Sequence, residues 1–156
     1  MSELNTSAVV ITDTSCFIIL EKIHALEFLN KIFDIVLTTP EIAFEYGHPL
    51  PSWVTIQRVG NTKLQQQFNH LLDPGEASAI ALAHETPCQY LITDDRAARK
   101  FAESLGLQVK GSVGVLIYAK QKGIIKAIKP YIQQIEKTNF RISTVLISRI
   151  LEAAGE

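Results

Sequence analysis

The chain has 156 residues, of which 47% are hydrophobic and 20% are charged, and its net charge at pH 7 is −1. This size and composition are typical of one globular domain with a large core, and they exclude a disordered chain, a collagen-like fibre and a disulfide-stapled miniprotein. No apolar run approaches the roughly 18 residues of a membrane helix, so no membrane association is predicted.

Short apolar runs rich in β-branched residues alternate with amphipathic patterns along the first 110 residues. Such runs are typical of buried parallel strands, and apolar side chains spaced by three and four residues are typical of helices. In chain order the pattern predicts strand 8–12, helix 16–33 with a break near His24, strand 35–38, helix 40–46, a loop with a short strand within 53–59, helix 61–71, helix 73–85, strand 89–93, helix 95–105 and strand 107–110. This alternation predicts βαβ units around a parallel sheet, an α/β fold.

The last third of the chain has a different pattern, which is helical and basic. Helices are predicted near 112–122, 125–137 and 143–153. Residues 1–109 hold 7 Lys and Arg against 13 Asp and Glu, whereas residues 110–156 hold 8 against 3. The imbalance is compatible with solvated helix faces, or with carboxylates around a metal and cations around phosphates. We predict one domain over residues 1–156, with a helical C-terminal part from about residue 112.

Acidic residues follow the predicted strands, at the edge of a parallel sheet where ligands bind. They are Asp13 directly after the first strand, Glu45 in the helix after the second, Glu76 in the first turn of helix 73–85, and Asp94 and Asp95 directly after strand 89–93. Acids from four separate segments are therefore predicted to converge. Clustered carboxylates repel one another unless a cation neutralises them, and Mg²⁺ or Mn²⁺ prefers such oxygen ligands.

Each of these acids also has a structural interpretation. Glu45 lies four residues after Glu41, which also follows the second strand, on one short helix, and at least one of the two is expected to be solvated. Asp13 is placed to cap the first helix, and Asp73-Pro-Gly-Glu has the order of a capping box with Glu76 at its third helical position. One of Asp94 and Asp95 is expected to be the N-cap of the next helix. The prediction of a functional site therefore depends on the coincidence of several positions rather than on any one residue.

Cysteine usage and the N-terminal segment predict a cytoplasmic protein. Cys16 and Cys88 are too few for a disulfide framework, which favours a reducing compartment, and Cys16 is expected to be buried in the core. Residues 1–5 lack the basic and apolar segments of a signal peptide. The four histidines have no metal-binding spacing.

A phosphotransfer protein is a rival interpretation, because such α/β proteins also place aspartates at strand ends. The phosphatase type has a second Asp two residues after its nucleophile, where this chain has Ser15. The receiver type requires a Lys at the end of its last strand, and Lys110 meets that requirement. The receiver type therefore stays open on these residues alone.

Several motifs occur in a characteristic order along the chain. They are Asp-Thr-Ser after the first strand, Thr-Pro-x-x-x-x-Glu after the second, Pro-Gly-Glu-Ala-x-Ala-Ile-Ala-Leu-Ala on a helix, then Ile-Thr-Asp-Asp-Arg-x-x-Arg-x-x-Ala and Gly-Ser-Val-Gly-Val-Leu. Over roughly residues 8–150 this order resembles the PIN-domain family, in particular a branch of small prokaryotic PIN-like proteins. The resemblance implies a three-layer α/β/α sandwich with a central, mostly parallel sheet, and a ribonuclease that depends on Mg²⁺ or Mn²⁺.

The resemblance also implies roles for individual residues. The implied metal ligands and catalytic acids are Asp13, Glu45, Glu76 and Asp95, with Asp94 as the alternative to Asp95. Glu76 stands where other members commonly have Asp, and the Thr-x-Asp spacing from Thr93 favours Asp95. The implied substrate-binding residues are Ser15, as hydroxyl partner of the first acid, and Arg96 and Arg99, which would contact phosphates together with cations of the C-terminal third.

We therefore predict a divalent-metal-dependent endoribonuclease that acts as the toxin of a toxin–antitoxin pair. The partners implied by the resemblance are RNA, an antitoxin protein and a second copy of the chain in a homodimer. The alternative function is that of a nucleic-acid-binding or regulatory PIN-like protein with little or no nuclease activity.

Overall fold

The computed structural model describes residues 8–156, so the prediction that residues 1–5 are not a signal peptide lies outside the described residues. The strands are β1 (Val9–Thr12), β2 (Ile35–Thr38), β3 (Val54–Ile56), β4 (Tyr90–Ile92) and β5 (Val109–Lys110). Within residues 8–156 these five strands form one sheet in the order β3-β2-β1-β4-β5, and every neighbouring pair is parallel. The prediction of a parallel α/β fold is confirmed.

β1 is the central strand of the sheet, and the order of the strands on its two sides identifies the edge at which a ligand is expected to bind. It pairs with β2 through Val10 and Val36, and with β4 through Thr12 and Ile92. After β1 the chain adds β2 and then β3 on one side of it, and it then returns to add β4 and β5 on the other side. The carboxyl ends of β1 and β4 are therefore the topological switch point, where open α/β sheets bind their ligands.

Nine helices connect and cover the strands within the described residues. They are α1 (Thr14–Lys22), α2 (Glu27–Ile32), α3 (Pro40–Tyr46), α4 (Thr62–Asn69), α5 (Pro74–Glu85), α6 (Arg96–Ser104), α7 (Ser112–Gln121), α8 (Lys129–Glu136) and α9 (Thr144–Ala153). The break predicted near His24 separates α1 from α2, and His24 itself has a left-handed φ of 57°. α3 begins after the predicted N-cap Thr39 and ends at Gly47, which also has a positive φ.

Two helical layers enclose the sheet, which confirms the three-layer α/β/α fold. α5 packs on β1 and β4 and contacts α3, α4 and α6, whereas α2 packs on β2 and contacts α7. Every residue of α5 from Ala77 to Ala83 is buried. This predominantly small and apolar run lets the helix approach the sheet closely, and it brings the first turn of α5 to the carboxyl ends of β1 and β4.

The Glu156 side chain connects the C-terminal helices to one another. Its carboxylate accepts hydrogen bonds from the backbone N–H groups of Ile128, at 2.8 Å, and Lys129, at 3.0 Å, and it pairs with the Lys120 ammonium at 2.9 Å. The hydrogen bonds from the Ile128 backbone N–H and from the Lys120 ammonium lower the pKa of Glu156 to about 2. Within residues 8–156 no helix is both long enough and apolar enough to cross a membrane. The single-domain organisation of the whole chain stays a prediction.

Candidate active site

A cavity of about 350 Å³ opens at the carboxyl ends of β1 and β4, and acidic side chains dominate its wall. Most of the acids that the sequence places after the strands line it, together with the predicted hydroxyl: Asp13, Ser15, Glu45, Glu76, Asp94 and Asp95. Glu41 does not, and its carboxylate instead accepts a hydrogen bond from the Gln65 side chain. We call it the acidic cavity. The convergence of four separate segments, inferred from topology, is present in the structure.

Asp13 is the most deeply buried of these acids, with 3% of its surface exposed. It is the N-cap of α1: Oδ1 accepts a hydrogen bond from the Thr14 backbone N–H, and Oδ2 accepts one from the Thr93 hydroxyl, both at 2.8 Å. Burial raises the pKa of Asp13 to about 6, although these two hydrogen bonds oppose the shift. Asp13 therefore caps a helix and also brings a carboxylate to the cavity.

Glu45 reaches the acidic cavity from the last turn of α3. Its carboxylate accepts a hydrogen bond from the Thr14 hydroxyl, one residue after Asp13. It also lies directly against Gly75 in the first turn of α5, where a Cβ atom would be only 2.8 Å from Glu45 Oε1. A glycine at this position is therefore what allows the carboxylate to approach the α5 backbone.

We expect Gly75→Ala to displace the Glu45 carboxylate while the fold persists. The clash involves the end of a flexible side chain, and alanine is favoured over glycine in helices by up to about 1 kcal/mol, so the melting temperature should not fall. If Glu45 serves in hydrolysis, RNA cleavage should drop by about tenfold or more. The matched control is Gly60→Ala, which crowds the carboxylate of Glu85, a residue outside the cavity. Equal cleavage by wild type and Gly75→Ala would remove Glu45 from the site.

Glu76 has the capping-box geometry that the sequence predicts, and it faces the cavity as well. Asp73 Oδ1 accepts from the Glu76 backbone N–H at 2.9 Å, and Glu76 Oε1 accepts from the Asp73 backbone N–H at 3.4 Å. The pKa of Glu76 is raised to about 8, first by burial, then by the negative charges of Asp73, Asp95 and Asp13, and also by a hydrogen bond with Asp95. The capping box is therefore present, and the same carboxylate lines the acidic cavity, while its role as a metal ligand stays a prediction.

Asp73 is a candidate that the sequence analysis missed. The sequence pattern predicts only that Asp73 caps its helix, yet its side chain lines the acidic cavity. Its negative charge contributes to the raised pKa values of both Asp13 and Glu76. The available signal was its position one turn before Glu76, in a loop that approaches the same edge of the sheet. Because the capping box accounts for Asp73 locally, the sequence pattern does not single it out as a residue of the cavity.

The two consecutive aspartates after β4 have different surroundings. Asp95 is the N-cap of α6, where its Oδ2 accepts from the Ala98 backbone N–H at 2.8 Å, and its charge acts on Glu76. Asp94 accepts hydrogen bonds from the Ser112 backbone N–H at 2.9 Å, from the Ser112 hydroxyl at 2.5 Å and from the Cys16 thiol at 3.2 Å. Asp94 thus links α1 to α7. Both aspartates line the acidic cavity, and the choice between them as a metal ligand stays a prediction.

Hydroxyl groups orient the acids and the turn that carries them. The Thr93 hydroxyl donates to Asp13 and accepts from the Asp95 backbone N–H at 3.2 Å, so it joins two of the acids. Ser15 Oγ accepts from the Asp94 backbone N–H at 3.1 Å, which holds the turn after β4 against α1. Ser15 lines the cavity, and its first contact is with the protein backbone. Cys16 is fully buried, as expected, and burial raises the pKa of its thiol.

Arg96 and Arg99 lie in a second cavity, of about 490 Å³, beside the first. We call it the basic groove, and its cations are Arg96, Arg99, Lys110 and Arg141. Asp94 and Phe140 line both cavities and therefore mark where the two meet. Lys110 does not line the acidic cavity, and its ammonium lies 4.4 Å from the centre of the Tyr90 ring. The receiver-type interpretation required this lysine beside the acids, so the geometry does not support it.

The acid cluster has the donor chemistry of a divalent-cation site without the geometry of a finished one. Within residues 8–156 no three Asp, Glu, His or Cys side chains are already arranged around a metal position. The oxygens nevertheless are hard ligands of the kind that Mg²⁺ and Mn²⁺ prefer. Burial first, and the neighbouring negative charges second, raise the pKa values of Asp13 and Glu76, and a bound cation would stabilise the ionised carboxylates against both effects. The residues present therefore fit such an ion.

Comparison with known families identifies the chain. A family model described as a PIN domain matches residues 9–156, almost the entire sequence. Among curated proteins, none matches the chain. PIN domains are generally nucleases that use divalent metal ions and bind RNA or other nucleic acids. From its fold, from the acids at the switch point of its sheet and from this match, the chain belongs to the PIN-domain family.

Proposed function

We propose that this PIN domain is a divalent-metal-dependent endoribonuclease. The observation that carries the proposal is the meeting of carboxylates from four separate segments in one cavity, at the switch point of the sheet. Burying several carboxylates beside one another costs stability unless a cation is bound: burial first, and the neighbouring charges second, raise the pKa values of Asp13 and Glu76. A cluster of this kind is therefore better explained by catalysis than by folding.

The proposed metal ligands are Asp13, Glu45, Glu76 and Asp95. A divalent ion bound there would supply Lewis acidity and lower the pKa of a water for hydrolysis of a phosphodiester. The protein's own hydroxyls orient the ligands: Thr93 holds Asp13, and Thr14 holds Glu45. The basic groove, which adjoins the acidic cavity, would hold the phosphates that flank the bond to be cut.

We expect Mn²⁺ to raise the melting temperature of the protein and EDTA to reverse the rise. A ligand that binds only the folded state stabilises it, by about 2.7 kcal/mol at a hundredfold excess over its dissociation constant. Differential scanning calorimetry with and without Mn²⁺ checks this, and Asp13→Asn is the control that should show a much smaller rise. Titration calorimetry that detects no divalent-ion binding at millimolar concentrations would contradict the proposed site.

The biological role that we propose is that of a cytoplasmic toxin held inactive by an antitoxin protein. The support for it is the family resemblance, in which many members are such toxins and many are dimers. Expression of the chain should then arrest growth, and Asp13→Asn should not. A small DNA-binding protein encoded beside this gene should restore growth when it is co-expressed. Growth arrest by the Asp13→Asn variant would contradict this role, and sedimentation of the purified chain tests the proposed homodimer.

A second candidate function is nucleic-acid binding without cleavage. Two observations favour it: several of the acids are occupied by hydrogen bonds to backbone groups, and no preformed metal position occurs within residues 8–156. The two functions differ in one assay. A labelled single-stranded RNA that binds the purified protein and stays intact in millimolar Mn²⁺ would support the second candidate, whereas Mn²⁺-dependent cleavage supports the first.

A further inference from the structure

Phe140 lies at the junction of the acidic cavity and the basic groove, and it lines both. It belongs to the segment between α8 and α9, and Thr138 holds the backbone there. The Thr138 hydroxyl donates to the Ile135 carbonyl at 2.6 Å and accepts from the Phe140 backbone N–H at 3.1 Å. The position of Phe140 is therefore set by local hydrogen bonds, and the next residue, Arg141, lines the basic groove.

The Phe140 ring is not part of the aromatic packing of the core. Aromatic rings pair in the core, for example Phe33 with Tyr90 and Phe68 with Phe101. Within the part of the chain that the structure describes, no ring pairs with Phe140. Its side chain is half-buried against the core, and the remainder lines the two cavities. An aromatic surface is thus available where an acid cluster and a group of cations meet.

An aromatic surface beside several cations is the combination that binds single-stranded nucleic acid. The cations hold successive phosphates, and the aromatic ring stacks on a base, whichever base it is. A duplex cannot present a base in this way, because its bases are already stacked on one another. The apolar part of the groove wall, which includes Val109 and Ile142, suits a base or a ribose better than a second row of phosphates.

We infer that Phe140 stacks on the base next to the phosphodiester that enters the acidic cavity, and that the strand continues through the basic groove. The ligand is a single-stranded RNA, held by its base at Phe140 and by its phosphates at the arginines. This inference rests on the proposed function, since it takes the acidic cavity as the place of cleavage. Phe140 is in this arrangement a positioning residue, because it orients the strand and takes no part in the hydrolysis.

The test compares two strands that differ only in their bases. The full chain carrying Asp13→Asn, which prevents cleavage, is titrated with a labelled oligouridylate and with an abasic strand that has the same number of phosphates. We expect Phe140→Ala to weaken oligouridylate binding by about tenfold, as base–aromatic stacking implies. The same substitution should leave binding of the abasic strand unchanged, and Phe140→Tyr should retain the affinity for both strands.

Phe44→Ala is the matched control, because Phe44 is 89% exposed on α3 and lines neither cavity. Melting temperatures of all variants establish that each one folds. An equal loss for both strands would show that Phe140 acts through the shape of the groove, and no loss for either would show that it does not contact the strand; each result overturns the inference. Cleavage is measured separately with the unmutated Asp13, so that a chain that binds in the expected way and cuts nothing disproves the nuclease and not the stacking.

Discussion

Asp13→Asn is expected to abolish Mn²⁺-dependent RNA cleavage, with a loss of at least about a hundredfold, and to leave the fold intact. The substitution removes the charge that would hold the cation and keeps the volume of the side chain. The asparagine oxygen can still accept from the Thr14 backbone N–H. Its amide group can donate to the Thr93 hydroxyl oxygen, although the Thr93 proton then loses the acceptor that Asp13 provides. Initial rates on a single-stranded RNA measure the effect.

The same variant should change how stability depends on pH. The pKa of Asp13 is about 6 in the folded protein, against 3.8 for an ordinary aspartate. A raised carboxyl pKa means that the folded state binds the proton more tightly than the unfolded state does. The stability that this proton contributes is therefore present below pH 4 and is lost as the pH rises through 6. The loss is on the order of 3 kcal/mol in the metal-free wild type. Asp13→Asn should not show it.

Asp34→Asn is a suitable control for both measurements. Asp34 precedes β2 at the opposite edge of the sheet, where its carboxylate accepts a hydrogen bond from the Ala8 backbone N–H at 2.8 Å. It shares the residue type with Asp13 and has no place in the acidic cavity, so cleavage should persist. If Asp13→Asn cleaves RNA as fast as wild type, Asp13 is a helix cap and nothing more.

Glu76→Gln should weaken Mn²⁺ binding by about tenfold or more and cut RNA cleavage by about a hundredfold, while the helix cap survives. The glutamine oxygen can still accept from the Asp73 backbone N–H, as in the capping box. The charge is lost, and with it one proposed ligand. Since the pKa of Glu76 is raised from 4.5 to about 8 in the folded protein, the metal-free wild type loses stability as the pH rises from about 4.5 to 8. The variant should therefore melt above wild type at pH 9 and close to it only near pH 4.

The control for Glu76→Gln must remove a helix cap without touching the acids. Asp73 is unsuitable, because it lines the acidic cavity. Asn61 caps α4, where its side chain accepts from the Leu64 backbone N–H at 3.1 Å. Its own backbone N–H donates to Glu85 in the last turn of α5, at the other end of that helix from Glu76. Asn61→Ala should cost about 1 kcal/mol of stability and leave Mn²⁺ affinity unchanged. Unchanged affinity in Glu76→Gln as well would return Glu76 to the cap alone.

Much of the fold could be predicted because its signals are local. Apolar β-branched runs mark β1 and β2, and Thr39, Pro40 and Gly47 mark the beginning and end of α3 through their own backbone preferences. One boundary is wrong although its cause is local. The helix predicted at 125–137 begins only at Lys129, because Pro130 is tolerated only in the first turn of a helix. The contact at that start is distant: Glu156 accepts from the backbone N–H groups of Ile128 and Lys129, which no local pattern predicts.

The acid cluster shows the same division between local and distant causes. The positions of the acids after β1 and β4 followed from the rule for parallel sheets, without any knowledge of side-chain contacts. Both aspartates after β4 line the acidic cavity, and our proposed choice of Asp95 over Asp94 depends on Ser112 and Cys16, which hold Asp94 and are distant from it in sequence. No local pattern encodes that choice. The junction at Phe140 likewise exists only once the segment between α8 and α9 lies across the edge of the sheet.

The hydrogen bond between Asp13 and Thr93 spans 80 residues of sequence, and this separation bears on how the protein is made. A growing chain that has not yet reached Thr93 already carries Asp13, Glu45 and Glu76, but it has no β4 to pair with β1. Two strands so far apart in sequence pair late in folding, because the ends of the long segment between β1 and β4 must come together before any contact between the strands stabilises them. The proposed hydrolase would therefore complete its acid cluster only after most of it has been synthesised, and unfinished chains on the ribosome would leave the surrounding RNA intact.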